Sequence, residues 1–251
     1  MDNKGSLDLQ IDKGIAVVAF AHPKGNSLPG NLLEELAKTI SAVGREKVVR
    51  VIVLKSKGEQ AFCAGASFDE LLSIRTKEES VAFFSGFARV INAMRKTSQF
   101  VIAEVQGKVV GGGVGLIAAA DYVFAVQEAS LRLSELGIGI GPFVIGPAVE
   151  RKVGVSAFSE MTLKPAEFFS AKWAKDKGLY QEVFSTCREM SEAVKKFSAT
   201  LSAYHPEAMK RIKRVFWEGT SHWDRLLMER AKMSGELVLT DFSRKIIESF
   251  R

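Results

Sequence analysis

An α/β fold with parallel strand pairing and a C-terminal helical region is what this sequence predicts, on three observations. Short runs rich in Val, Ile and Phe alternate with segments of helical spacing as far as residue 126. One segment, residues 113–120, is small and apolar on every face, which suits a helix buried against a sheet. From Ser191 onward the strand signal fades and helical stretches follow one another.

Taken in order, LDLQI and IAVVAFA flank Asp12-Lys13-Gly14 and read as a hairpin, with Gly14 able to supply positive φ. HPKGNSLP at 22–29 is a loop of turn formers. In 31–43, Leu32, Leu33, Leu36, Ile40 and Val43 share one face, which predicts a helix. VRVIVLKS at 49–56 is a strand, broken at Lys57-Gly58-Glu59, and a loop runs from there through Ser67. A short helix is expected over 68–74 and an amphipathic one over 80–94. A strand over 100–105 closes at Gln106-Gly107-Lys108. The buried helix at 113–120 precedes a strand at 122–126. Helices are expected over 150–161 and 171–177, the second stopped by Gly178. Four more are expected over 188–201, 206–217, 222–237 and 241–250. The chain shows no clear internal repeat and no low-complexity segment. Its division is a core over 1–195 and a helical region over 196–251.

Composition narrows the function classes. The 251 residues are enough for one large domain, and they are 47% hydrophobic and 25% charged. Two cysteines, Cys63 and Cys187, provide no disulfide framework and no metal-ligand spacing, so a reducing, cytoplasmic location and no metal are expected. No apolar leader opens MDNKGSLDLQ, and no apolar run approaches the roughly 18 residues a membrane helix needs. The net charge of +6 favours anionic partners: nucleic acid, a phosphate-bearing cofactor, or only a solvated basic surface.

The strongest chemical signal is GGGVGL at 111–116, between a strand and a helix. Glycine lets a ligand approach the backbone, and a helix N-terminus offers unpaired N–H groups and a positive dipole end. Alone this is also what an ordinary strand-to-helix turn looks like. Two further loops follow strands: AFCAGAS at 61–67 and SELGIGIGP at 134–142. Glu135 sits there among Leu131, Leu133 and Leu136, a setting that raises a carboxyl pKa. Cys63 reads as a small buried residue and Asp121 as a structural cap or loop residue. Asp69 and Glu70 read as helix-surface carboxylates. His22, His205 and His222 match no catalytic pattern and fall in loops or on helix surfaces. Trp173, Trp217 and Trp223 read as packing residues. Lys210, Arg211, Lys213, Arg214, Arg225 and Arg230 lie on the C-terminal helices, where either a solvated helix face or a contact from one of them to a phosphate-bearing ligand is open.

In this order and spacing, the HPKGNSL, AFCAGAS, QGKVVGGGVGLIAAADYVFA, SELGIGIGP and FFSAKWAKDKGLYQEVF segments resemble the crotonase superfamily, the enoyl-CoA hydratase/isomerase family, over nearly the whole chain. The resemblance implies a spiral of repeated ββα units, with C-terminal helices that assemble a homotrimer or dimer of trimers. It implies an acyl-CoA substrate, with coenzyme A present as part of the thioester and no permanently bound cofactor. The backbone N–H groups of Ala66 and Gly112 would form an oxyanion hole for a thioester enolate. Cys63, Ala64, Gly65, Gly111 and Gly113 would bind the CoA substrate, the backbone around Cys63 to Ala66 lying near the adenine of CoA, and Gly115 and Phe143 would lie in the acyl pocket. Glu135 would be the acid/base. Family hydratases carry a second glutamate two residues after the glycine triplet; here that position is Gly115. Phe143-Val144-Ile145 replaces a glycine-rich stretch common in the family.

The resulting expectation leans to a hydratase of a 2-enoyl-CoA, branched substrates included. An enoyl-CoA isomerase with a single glutamate and a non-catalytic CoA-binding protein are the alternatives. Nucleic acid is not expected as a partner, because the basic residues do not cluster with aromatics, and a membrane is not, because no long apolar run is present.

Overall fold

A computed structural model describes residues 5–249; Phe250, the expected end of the last helix, lies outside them. The chain opens with β1 (Ser6–Asp12) and β2 (Ile15–Ala21), the predicted hairpin, turned by Lys13 and Gly14 at positive φ. Then come α1 (Gly30–Val43), β3 (Val51–Ser56), β4 (Ala61–Cys63), α2 (Phe68–Ser73) and α3 (Lys77–Lys96). The middle of the chain holds β5 (Phe100–Val105), β6 (Lys108–Val110), α4 (Gly112–Ala119), β7 (Tyr122–Val126), β8 (Leu131–Arg132), α5 (Gly146–Leu163), α6 (Ala171–Asp176) and β9 (Glu182–Phe184). Four helices end it: α7 (Cys187–Ser202), α8 (Pro206–Phe216), α9 (Trp223–Val238) and α10 (Asp241–Glu248).

The large sheet has the order β1-β2-β3-β5-β7-β9, and every pair after the first is parallel. A small parallel sheet has the order β4-β6-β8. Each turn of the chain lays one strand in the large sheet, the next in the small one, and then passes into helix or loop. That is the expected spiral of ββα units. The inner strands β3, β5 and β7 are almost wholly buried, as strands covered on both faces must be.

The sequence missed β4, β6, β8 and β9. Each has only two or three residues, too few to show an alternation. Lys108, expected to close a strand, instead begins β6. Helix α3 starts three residues early because Thr76 and Glu79 form a reciprocal capping box. Helix α5 is longer than expected and is kinked where Gly154 takes φ 75°. Helix α7 runs unbroken through the expected 195/196 boundary. Its buried face, Met190, Val194 and Ser198, covers the large sheet, so the core extends to the end of α7.

The tail is tied to this core at Asp121, which is indeed structural. Its carboxylate accepts from the Val101 N–H at 2.7 Å and the Trp217 indole N–H at 3.0 Å, and it pairs with the Lys213 ammonium. Lys213 is therefore not on a solvated face: it is 1% exposed. A buried ion pair is strongly destabilised when one member is removed, because the other charge is left unpaired. Asp121→Ala is expected to lose about 3–5 kcal/mol of stability, measured by urea denaturation. Trp217 and Trp223 pack edge to face at 5.8 Å beside this joint. His205 caps α8, accepting from the Ala208 N–H at 3.3 Å.

Candidate active site

Loops at the ends of the small-sheet strands meet α2, α3, α9 and the 136–145 segment around one cavity. It holds about 530 Å³ of atom-free space, partly open to solvent. Its walls are largely aromatic and aliphatic: Phe84 and Phe87 of α3, Ile138, Ile140, and Phe143 to Ile145. Its polar side chains are Ser134, Glu135 and Ser234.

The HPKGNSL loop holds one wall in place. Asn26, at φ 57°, accepts from the His22 N–H at 2.9 Å and donates to the Lys57 and Ala61 carbonyls at 2.7 and 2.8 Å. Leu28 forms a parallel bridge to Ala66, receiving the Ser67 N–H and donating to the Gly65 carbonyl. In a parallel bridge those contacts use the neighbours of Ala66, so the N–H of Ala66 itself faces the opposite edge. Ala66 lines the cavity, and no acceptor meets its N–H among the described residues.

Gly112 opens α4, where the first N–H groups have no intrahelical acceptor. Its N–H also has no partner among the described residues. The triplet is glycine for three separate reasons. Gly111 has φ 52°, a left-handed conformation, and a Cβ there would sit 3.1 Å from Glu135 Oε1. A Cβ on Gly112 would lie 2.2 Å from Phe87 Cε1, and one on Gly113 would lie 2.6 Å from Cys63 Cβ. The ring of Phe87 thus rests directly on the first turn of α4.

Glu135 begins the 3-10 turn Leu136–Ile138. The residue is only half-buried, but its Oε2 is shielded from solvent and has no hydrogen-bond partner among the described residues. Burial pushes its pKa up to about 7, opposed by its own backbone N–H. The direction agrees with the sequence reading, although Leu136 is 45% exposed and points away from a buried setting. The folded protein holds this proton more tightly than the unfolded chain. Stability is therefore expected to fall as pH rises from about 4.5 through about 7 and to stay lower above it, a loss of about 3 kcal/mol. Denaturation midpoints of the wild type and Glu135→Gln across that range check this: the variant should lack the fall.

The cavity brings together Ala64, Gly65, Ala66, Gly111, Gly112, Glu135 and Phe143 of the expected residues. Three others stand behind the wall. Cys63 is fully buried, its thiol pushed up to about 12 by burial, and it packs against Gly113. Gly115 does not line this cavity. Ile145 Cγ2 stands 2.3 Å from where its Cβ would be, and Ile145 presents the surface there instead. Sequence reasoning missed Phe84, Phe87 and Ser234. They belong to amphipathic helices whose buried positions look like ordinary core, so no sequence signal singled them out. The arrangement can stabilise negative charge on an oxygen with two N–H groups and move a proton with one carboxyl.

A family model described as enoyl-CoA hydratase/isomerase matches residues 10–247. The chain is 26% identical over 247 residues to a probable enoyl-CoA hydratase of Bacillus subtilis, covering 98% of this chain and 95% of that one. It is 32% identical over 187 residues to the mitochondrial methylglutaconyl-CoA hydratase of Homo sapiens, covering 74% of this chain and 55% of that one. The crystal structure of an enoyl-CoA hydratase from Bacillus halodurans superposes with a TM-score of 0.89 at 20% identity, covering 97% of this chain and 99% of that one.

Proposed function

Because this chain belongs to the enoyl-CoA hydratase/isomerase family, we propose that it hydrates a 2-enoyl-CoA, with Glu135 handling both protons. The observation that carries this reading is a shielded, unpartnered carboxyl oxygen sharing one cavity with two unpaired backbone N–H groups. The thioester oxygen accepts from the Ala66 and Gly112 N–H groups. Ionised Glu135 takes a proton from water as the water oxygen bonds to Cβ. The double-bond electrons move toward the thioester oxygen, and the enolate forms against the two donors and the positive end of α4. Glu135, now protonated, returns its proton to Cα. A pKa near 7 suits a group that must act first as base and then as acid.

One observation favours double-bond isomerisation as a second reading: no carboxylate other than Glu135 lines the cavity among the described residues. A single base can take a proton from one carbon and return it to another. Incubation of the purified protein with crotonyl-CoA and with a 3-enoyl-CoA separates the two. Loss of conjugated thioester absorbance from the first is the expected result; its gain from the second establishes isomerisation instead. No change in either, with CoA thioesters still bound, establishes a non-catalytic binder. The C-terminal helices are proposed to assemble a homotrimer or dimer of trimers, supported by exposed Ile212, Val215 and Phe216 on α8.

A further inference from the structure

We propose that the cavity takes a short, uncharged acyl group and that Ile145 sets its length; the proposal rests on the acyl-CoA reading of the site. Two features of the cavity carry it.

The first is its chemistry. Apart from Glu135, its side chains are aromatic, aliphatic or serine, and no Lys, Arg or His is among the described lining residues. A carboxylate at the far end of an acyl chain would lose its water there and find no cation to replace it. It would also share the cavity with Glu135, and two like charges in one apolar space disfavour each other.

The second is the seating of Ile145. Helices α4 and α5 pack together, and Gly115 of α4 supplies a recess with no side chain of its own. Ile145 fills that recess: its Cγ2 and Cβ lie 2.3 and 2.5 Å from where a Cβ on residue 115 would stand. Ile145 also lines the cavity. It is therefore a plug between the acyl space and the backbone of α4. Shortening it joins the recess to the cavity. Adding a Cβ at Gly115 drives it the other way, into the acyl space. The two substitutions act in opposite directions on one dimension, which an ordinary packing residue would not do.

Calorimetric binding of butyryl-CoA, octanoyl-CoA and glutaryl-CoA tests this without requiring turnover. The wild type is expected to bind butyryl-CoA at least about tenfold more tightly than octanoyl-CoA, and to bind glutaryl-CoA more weakly still. Ile145→Ala is expected to shrink the butyryl-to-octanoyl ratio to within about threefold, and Gly115→Ala to enlarge it. Ile145→Val, a smaller change, is expected to shift the ratio partway and serves if Ile145→Ala fails to fold. Equal binding of butyryl- and octanoyl-CoA by the wild type overturns the proposal. So does an unchanged ratio in a folded Ile145 variant, or tighter binding of glutaryl-CoA than of butyryl-CoA. Length discrimination without turnover of any enoyl-CoA upholds it while removing the hydratase reading. Turnover of enoyl-CoA without length discrimination does the reverse. Failure of all three ligands to bind removes both.

Discussion

Glu135→Gln is expected to lower kcat by roughly 10²–10⁴-fold while leaving thioester binding within a few-fold. Glutamine keeps the shape of the side chain but can neither take a proton from water nor return one to Cα. No other carboxylate lines the cavity to take over among the described residues. The loss should therefore fall on kcat, with kcat/KM following it. In the wild type, kcat/KM should rise with pH through about 7, because the resting base must be ionised and burial holds it protonated below that value. Steady-state kinetics across pH 5–9, with both proteins, measure this; undiminished turnover in the variant removes Glu135 from the chemistry.

Gly112→Ala is expected to lower kcat by roughly 10²–10³-fold, the effect of losing one oxyanion donor. The cause is steric. A Cβ at this position meets Phe87 Cε1 at 2.2 Å, so either the ring or the first turn of α4 must move. Moving the turn re-aims the Gly112 N–H away from the thioester oxygen, and a displacement near 1 Å is costly in a preorganised site. The double substitution Gly112→Ala with Phe87→Leu removes most of the clash and should recover a large part of the lost rate. Recovery separates a misdirected donor from a general loss of structure. Full activity in the single variant would place the oxyanion elsewhere.

Much of the candidate site was legible because loops form much of the cavity wall and their residues are unusual where they stand. The glycine triplet, the AFCAGAS loop and Glu135 all declare themselves by type and order. Phe84, Phe87 and Ser234 do not. Their spacing on α3 and α9 is that of any helix packed on a core, and only the pairing of α3 with α4 and α9 turns those positions toward a ligand. Sequence marks no member of the basic stripe of α8 as buried, because one cation in a helix looks like the next. Lys213 is buried because the chain brings Asp121, 92 residues earlier, against it.

The sequence by itself determined the α/β class, the hairpin, the helical tail and the glycine-opened helix. Each depends on local periodicity, turn chemistry or a residue type that only one backbone geometry tolerates. Tertiary structure alone decided that α7 belongs to the core, that four two- or three-residue strands form, and that Gly115 lies behind Ile145 rather than in the cavity. Short strands gain their hydrogen bonds from neighbours distant in sequence, so their own residues carry little record of them. The role of Gly115 is set by a side chain 30 residues away pressed into the space it leaves. The glycine triplet marks the turn that opens α4; what space lies behind that helix is decided by how Ile145 packs against Gly115.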